Sequence, residues 1–249
     1  MRVFGLIGNP ISQSLSPQFF QQKFEREGLQ DIVYQLFPLT SINQFPFLIE
    51  KEKHLVGLNV THPYKEAILP YLQRLTKEAQ SIGAVNTIGI KRDGDHIELT
   101  GHNTDCEGFG ILLDQLSKPL PERALVLGTG GAAKAVVYAL HQRGVKVAQV
   151  SRDAQRGDYT YESLSPSVIE NHLMIVNATP VGMGAEWKSC LPLPYSSISR
   201  QHILIDLIYN PEVTVFLQKG SAQGAKIING KTMLIEQAEA SWRFWQALP

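Results

Sequence analysis

The amino-acid sequence predicts an α/β protein built on a parallel sheet. Its 249 residues are enough for one large domain or two modest ones. Within the stretch 124–152, a strand, a glycine turn, a helix and a second strand follow one another in about thirty residues. Strand and helix patterns then keep alternating, with further strands at 173–177, 203–207 and 225–228. This alternation indicates a parallel sheet with helices on both faces.

The glycine turn at 128–133 (GTGGAA) lies between a buried strand at 123–127 and a helix. Gly128 permits the tight turn, Gly130 lets a pyrophosphate approach the backbone closely, and Ala133 lets the helix pack on the strand. The helix N-terminus then presents N–H groups and the positive end of its dipole to the phosphates. The pattern therefore predicts a Rossmann-type dinucleotide site, and a purely structural glycine turn is the alternative.

The end of the second strand indicates which dinucleotide binds. A site for NAD usually places Asp or Glu there to hold the ribose 2′-hydroxyl. Here the strand ends in Ser151-Arg152, and Arg156 follows. Two guanidinium groups and a hydroxyl suit a 2′-phosphate, because a planar cation can donate two parallel hydrogen bonds to it. We therefore predict NADP, whereas the carboxylate of Asp153 would repel that phosphate and keeps NAD open as an alternative.

Composition and charge narrow the range of partners. Hydrophobic residues make up 43% of the chain and charged ones 18%, as in globular proteins. The 23 basic and 23 acidic residues cancel, so nothing favours nucleic acid or an anionic membrane. No apolar run reaches about 18 residues and no signal pattern opens the chain, so we expect neither a membrane span nor secretion. Cys106 and Cys190 are isolated, which suits a reducing cytoplasm and gives no metal-binding spacing.

Hydroxyl groups gather where the first strand gives way to a helix. Ser12, Ser14 and Ser16 stand between a strand at 3–7 and a helix that opens at Pro17. We expect Ser16 to cap that helix, with Pro17 at its first position. Ligands bind at the ends of such strands, so this row of hydroxyls suits a small polyhydroxylated or carboxylated molecule.

Lys65 is the candidate for acid–base chemistry. The buried strand at 55–61 runs into a helix that Pro63 opens, which puts Lys65 in the first turn and close to Thr61. The positive end of a helix dipole disfavours the ammonium form. Such a lysine can exchange a proton with a substrate hydroxyl, whereas the alternative is an ordinary surface cation.

Other polar residues lie at the ends of predicted elements. Asn86 opens a strand and Asp105 opens a helix, and for each of them a local turn or cap role is the alternative. We expect Asn210 to cap a helix directly after Tyr209. Gln237 lies near the apolar face of the last helix, where an exposed glutamine is the alternative.

Taken together, these residues resemble the shikimate dehydrogenase family over nearly the whole chain. Seven segments in the expected order carry the resemblance: GNPISQSLSP (8–17), NVTHPYK (59–65), GAVNTI (83–88), HNTDCEG (102–108), LGTGGAAKAV (127–136), NATPVGM (177–183) and NGKTMLIEQA (229–238). At the 2′-phosphate segment, Ser151-Arg152-Asp153 stands where the family usually reads Asn-Arg-Thr, and the following basic residue is kept as Arg156.

The resemblance implies roles for individual residues. Lys65 and Asp105 correspond to the catalytic pair. The implied substrate-binding residues are Ser14, Ser16, Thr61, Asn86, Asp105, Tyr209 and Gln237. The implied cofactor-binding residues are Gly128, Thr129, Gly130, Gly131, Ala132, Ala133, Ser151, Arg152, Arg156, Asn177, Thr179, Met183 and Gly230. No metal ligand is implied.

The implied fold has a Rossmann-type NADP domain at 105–230 and an α/β substrate domain at 1–104 with 231–249, with a cleft between them. The implied reaction is reversible reduction of 3-dehydroshikimate to shikimate by NADPH, in the cytoplasm, by a monomer or homodimer. The only implied partner is a small-molecule substrate, with no nucleic acid and no membrane. The alternatives are an NAD-using quinate/shikimate dehydrogenase, a non-catalytic NADP-binding paralogue, and an unrelated Rossmann reductase of another small acid.

Overall fold

The computed structural model describes residues 1–94, 96–116 and 119–248. The chain divides into two compact units, one formed by 1–107 with 237–249 and the other by 108–236. The resemblance implies divisions at 104/105 and 230/231. The bounds of the two compact units lie a few residues later, inside the helices 105–114 and 231–247.

The first unit is built on a mixed six-stranded sheet. Its elements are β1 (Arg2–Gly8), α1 (Ser16–Arg26), β2 (Ile32–Pro38), α2 (Phe45–Lys51), β3 (Leu55–Val60), α3 (Tyr64–Ala67), β4 (Arg74–Leu75), α4 (Lys77–Ile82), β5 (Thr87–Asp93) and β6 (His96–His102). The strand order is β2-β1-β3-β5-β6-β4, with β1 parallel to β2 and β3. β5 and β6 form the antiparallel hairpin that Asp93-Gly94 predicts, and Gly94 takes a positive φ of 58°.

Helix α5 (Asp105–Asp114) follows β6, and the second unit then forms a parallel six-stranded sheet. The remaining elements are β7 (Arg123–Leu127), α6 (Gly131–His141), β8 (Lys146–Ser151), β9 (Tyr159–Thr160), α7 (Pro166–Glu170), β10 (Met174–Asn177), β11 (Ile203–Asp206), α8 (Val215–Ala222), β12 (Lys226–Ile228) and α9 (Lys231–Ala247). The strand order is β12-β11-β10-β7-β8-β9. All five strand pairings are parallel, which confirms the predicted α/β class.

Each unit has its own apolar core. In the second unit, buried residues of β7, β10 and β11 pack with Phe216 and Leu217 of α8. In the first unit, one core forms around β3 and β5, and a second packs Phe20 and Phe24 of α1 against Trp242 and Trp245 of α9. Burial of these aromatic side chains fixes α1 and α9 on the same sheet.

One predicted helix start is wrong. The helix predicted directly after Tyr209 begins at Val215 instead, because Thr214 and not Asn210 caps it by accepting the Leu217 N–H at 3.4 Å. Within the described part of the chain, no helix combines the length and apolar character needed to cross a bilayer.

Candidate active site

The side chains of Lys65, Asp105 and Asn86 form a hydrogen-bonded group in the first unit. Lys65 Nζ donates to Asp105 Oδ2 at 2.6 Å, and Asn86 Nδ2 donates to Asp105 Oδ1 at 2.9 Å. The Lys65 and Asp105 side chains are 18% and 7% exposed, so solvent screens the pair only weakly. The short distance is typical of a charge-assisted hydrogen bond. In this geometry the Asp105 carboxylate holds the Lys65 ammonium group in a fixed position through one hydrogen bond.

The local structure leaves the Asp105 carboxylate available for this group. Asp105 is the first residue of α5, but the side chain of Asn103 takes the capping role by accepting the Cys106 N–H at 3.2 Å. Lys65 lies in α3, which has only four residues and therefore carries little helix dipole. The dipole effect that the sequence suggests for Lys65 is therefore small, and the contact with Asp105 acts in the opposite direction by stabilising the ammonium.

Ser14 and Ser16 form a second polar pair, before and at the start of α1. Their hydroxyl oxygens lie 3.2 Å apart, and Ser14 Oγ accepts the Ser16 N–H at 3.3 Å. The prediction that Ser16 caps α1 is wrong, because Leu15 occupies the N-cap position and Pro17 follows at the second helical residue. Both serines are half-buried, so their hydroxyls are still open to a ligand.

Thr61 and Gln237 complete the substrate residues that the sequence predicts in the first unit. Thr61 directly follows β3, and its methyl group fills the space where a side chain at Gly8 would lie. Gln237 Oε1 is 3.5 Å from Asn86 Nδ2, which joins α9 to the Lys65–Asp105 group. The structure therefore brings Lys65, Asn86, Asp105 and Gln237 into one connected set.

The glycine turn of the second unit joins β7 to α6. Gly128 has a positive φ of 110°, which favours glycine, and Ala133 is fully buried. Gly130 is the N-cap of α6, and a Cβ added there would meet no protein atom within 4 Å. Packing within the protein therefore gives no reason for this glycine, whereas a ligand close to the backbone does. No side chain of the described residues caps α6, so its first N–H groups suit phosphate oxygens.

The basic segment after β8 is a turn with two exposed arginines, Arg152 and Arg156. Ser151 Oγ accepts the Asp153 N–H at 3.1 Å, and Asp153 Oδ1 accepts the Gln155 N–H at 2.9 Å. The Asp153 carboxylate therefore stabilises the turn by accepting a backbone hydrogen bond. Both guanidinium groups remain able to reach a phosphate.

Asn177, at the end of β10, organises the loop 177–183. Its Oδ1 accepts hydrogen bonds from the N–H and hydroxyl of Thr179 at 3.0 and 2.7 Å, and its Nδ2 donates to Asp206 Oδ1 at 3.0 Å. Asn177 is fully buried, Thr179 is half-buried and Met183 is 50% exposed. Asn177 thus orders this loop, and Thr179 and Met183 are more exposed than Asn177.

Tyr209 and Gly230 lie in the last third of the second unit. Tyr209 is half-buried just beyond β11. Gly230 packs against the backbone that follows β11: its N–H donates to the Ile208 carbonyl at 3.0 Å, and an added Cβ would overlap the Leu207 carbonyl. A structural reason therefore accounts for glycine at 230, independently of any cofactor contact.

The sequence analysis assigns no role to several buried polar residues beside this site. Asn59, Thr87, Thr104 and Ser241 hydrogen-bond to one another in the first unit. Motif spacing does not single them out, because they are distant in the chain and meet only after folding. Among the described residues, no group of three or more His, Cys, Asp or Glu side chains is placed to hold a metal ion.

A parallel dinucleotide-binding sheet in one unit and a lysine–carboxylate pair in the other define a class: the two-domain oxidoreductases that use a nicotinamide dinucleotide. The family model for the shikimate dehydrogenase substrate-binding domain matches residues 6–88. The shikimate dehydrogenase (NADP⁺) of Clostridium beijerinckii is 38% identical, over 99% of this chain and 92% of its own. That of Caldanaerobacter subterraneus is 35% identical, over 98% and 91%.

A solved structure of a shikimate 5-dehydrogenase also resembles this protein in its fold. The shikimate 5-dehydrogenase of Thermus thermophilus, crystallised with NADP(H) and shikimate, is 33% identical and superposes with a TM-score of 0.85. The alignment covers all of this chain and 94% of that one. The chain belongs to the shikimate dehydrogenase family.

Proposed function

We propose that this protein catalyses the reversible reduction of 3-dehydroshikimate to shikimate with NADPH. The observation that carries the proposal is the Lys65–Asp105 pair, at 2.6 Å, in a chain of this family. The relative from Thermus thermophilus, which binds NADP(H) and shikimate in its crystal, supports the choice of cofactor and substrate. The uncapped start of α6 and the open space at Gly130 fit a dinucleotide pyrophosphate.

The bound nicotinamide supplies the hydride. Lys65 Nζ gives a proton to the substrate oxygen as it becomes an alkoxide, and takes that proton back in the oxidation direction. Asp105 holds the ammonium in place and accepts a hydrogen bond from the neighbouring substrate hydroxyl. Asn86 fixes the Asp105 carboxylate from its other side. The protein thus provides position, charge and one proton.

The remaining polar residues bind the rest of the substrate. Ser14 and Ser16 donate to its carboxylate, and Thr61, Asn86, Tyr209 and Gln237 bind its hydroxyl and carbonyl groups. Because the carboxylate meets two hydroxyls and no arginine, we expect only modest affinity, well short of a nanomolar Kd.

NADP is held by residues of the second unit. The backbone of 128–133 would hold the pyrophosphate, while Ser151, Arg152 and Arg156 would hold the 2′-phosphate. Thr179 and Met183 would be further cofactor contacts. The first unit is accordingly the substrate-binding domain and the second the NADP-binding domain. The cysteines Cys106 and Cys190 are unpaired, which suits the reducing cytoplasm in which we place the reaction.

The test is the rate at which purified protein reduces NADP or NAD, in parallel, with shikimate as the substrate. Absorbance of the reduced nicotinamide reports the rate. A rate with NADP well above that with NAD supports both the substrate and the role of the two arginines. An equal or higher rate with NAD favours the quinate/shikimate alternative, and quinate is then compared directly. No rate with either dinucleotide overturns the catalytic proposal.

A further inference from the structure

Hydrogen bonds between buried and half-buried side chains run from Tyr34, beside the serine pair, to the Lys65–Asp105 group in the first unit. We name the connecting residues the buried polar chain; they are Tyr34, Asn59, Thr87, Thr104 and Ser241. Thr87, Thr104 and Ser241 are fully buried, and Asn59 is 6% exposed. Apolar side chains would fill this space without needing partners, whereas buried polar groups are costly unless each is hydrogen-bonded. Packing alone therefore does not explain why polar side chains occupy these buried positions.

Tyr34 is the end of the buried polar chain that lies next to the serine pair. Its hydroxyl donates to Asn59 Oδ1 at 2.8 Å, and the Ser16 side chain is near enough to this hydroxyl to oppose part of the rise in its pKa. Burial raises the pKa of Tyr34 well above its ordinary value, so the hydroxyl stays protonated and remains a donor. The ring stacks on Phe20 of α1 with centroids 4.4 Å apart, which fixes its position. Tyr34 thus lies between Ser16 and Asn59.

Asn59 and Ser241 form the centre. Because Tyr34 donates to Asn59 Oδ1, the amide must direct its Nδ2 group towards α9. Nδ2 donates to Ser241 Oγ at 2.9 Å, and Ser241 Oγ also lies 2.8 Å from Thr87 Oγ1. The Ser241 hydroxyl in turn donates to the carbonyl of Gln237, one turn earlier, at 2.9 Å. One serine thus joins two strands to the helix that carries Gln237.

Thr104 links Ser241 to the catalytic pair. The Thr104 and Ser241 hydroxyl oxygens lie 3.0 Å apart, and Thr104 N–H donates to Asn86 Oδ1 at 2.6 Å. With its oxygen held in this way, Asn86 directs Nδ2 to Thr104 Oγ1 and to Asp105 Oδ1, each at 2.9 Å. The orientation of the amide that holds Asp105 is therefore set from Thr104.

We propose that the buried polar chain, with Ser241 at its centre, positions the serine pair and the Lys65–Asp105 pair relative to each other. The inference rests on the proposed function, because it assigns the two ends of the buried polar chain to the two ends of one substrate molecule. Ser241 and Tyr34 are positioning residues: neither touches the reacting atoms, and each acts through the residues that do. Tyr34 acts on the carboxylate end through Ser16, and Ser241 acts on the reacting end through Thr104 and Asn86.

Two conservative variants separate the two ends. Tyr34→Phe keeps the ring and removes only the hydroxyl, so KM for shikimate should rise roughly threefold to tenfold with kcat nearly unchanged. Ser241→Ala loosens the support of Asp105, so kcat should fall roughly tenfold or more with a smaller change in KM. The Kd for NADP, measured by titration calorimetry, should stay at the wild-type value in both variants.

The matched control is Trp245→Phe, one turn after Ser241 on α9. It removes a buried hydrogen bond of the same unit, from Trp245 Nε1 to the Ile88 carbonyl at 2.9 Å, that is not part of the buried polar chain. Its Tm should fall while kcat and KM per folded molecule remain those of the wild type. A purely structural role for Ser241 and Tyr34 would give this same result in all three variants.

The outcomes distinguish this inference from the proposed function. An active wild type with the KM and kcat effects divided between Tyr34→Phe and Ser241→Ala supports the inference. An active wild type whose two variants lose only thermal stability overturns it and leaves the proposed function standing. A wild type that neither binds nor oxidises shikimate overturns the proposed function and, with it, this inference.

Discussion

The Lys65 ammonium and the Asp105 carboxylate are in direct contact at 2.6 Å, although 40 positions separate them in the chain. Helix α3 carries Lys65, and Asp105 is the first residue of α5. Neither side chain has another ion-pair partner among the described residues. The pair is therefore a unit whose chemistry depends on both members.

Replacing Asp105 tests whether the pair works as a unit. Asp105→Asn keeps the shape of the side chain but removes the charge that holds the Lys65 ammonium. We expect kcat to fall roughly a hundredfold. Combined with Lys65→Ala, it should add little further loss, because residues acting together are not additive. Steady-state kinetics of the two single variants and the double variant give the result, and fully additive losses would contradict a shared role.

Arg152 and Arg156 should determine the preference for NADP. Each forms a charge-assisted contact with the 2′-phosphate in our proposal, so Arg152→Ala and Arg156→Ala should each raise KM for NADP roughly tenfold. KM for NAD, which lacks that phosphate, should change little. Arg200→Ala, at another exposed arginine of the same unit, is the control. Equal effects on both dinucleotides would mean that the arginines do not read the 2′-phosphate.

Two glycines should respond to alanine in opposite ways. A Cβ at Gly130 meets no protein atom within 4 Å and the backbone φ of −81° accepts alanine, so Gly130→Ala should keep the wild-type Tm. It should weaken NADP binding roughly tenfold or more, because the methyl group occupies the approach of the pyrophosphate. Gly230→Ala would overlap the Leu207 carbonyl and should cost about 1–3 kcal/mol of stability.

Thermal melts and titration calorimetry on the two alanine variants check this pair of outcomes. A Gly130→Ala protein that melts early, or that binds NADP like the wild type, would remove the reason for assigning Gly130 to the cofactor.

Asp206 should make stability depend on pH. Burial raises its pKa to about 6, although hydrogen bonds from Thr214, Ile208 and Asn177 oppose the rise. Since the unfolded carboxyl titrates near about 4, the folded state binds more protons in the window between these values. The free energy of unfolding should therefore fall as pH rises from about 4 to about 6, by about 3 kcal/mol in total from this group.

Asp206→Asn cannot titrate, so this part of the pH dependence should disappear in the variant. Urea unfolding of wild type and variant across the window measures the difference, with the exposed Asp153→Asn as the control. A stability difference that stays constant with pH would show that Asp206 does not titrate there.

Local signals predicted much of the fold. The glycine turn and the β5–β6 hairpin each depend on neighbouring residues and appear as expected. The failures came where two nearby residues competed for one role. Leu15 and not Ser16 takes the N-cap of α1, and Thr214 caps α8 while Asn210 does not.

Some residues of the candidate site could likewise be predicted from local signals, and others could not. Lys65 and Asp105 lie in distinctive segments and could be named from the sequence, but their distance could not be. Ser241 is an ordinary serine in the sequence, and its partners Asn59 and Thr87 are 182 and 154 positions away. Only the packing of α9 against the sheet brings these residues together, so no local pattern could reveal the buried polar chain.

The most direct test of the account compares wild type and Lys65→Ala in the oxidation of shikimate with NADP. The wild type should turn over, while Lys65→Ala should bind shikimate nearly as well and have a kcat lower by roughly 10²–10⁴. Initial rates for turnover and calorimetric titration for binding give both quantities on the same samples. A wild type without activity, or a Lys65→Ala enzyme with normal kcat and raised KM, would contradict the assignment of Lys65 as the group that transfers the proton.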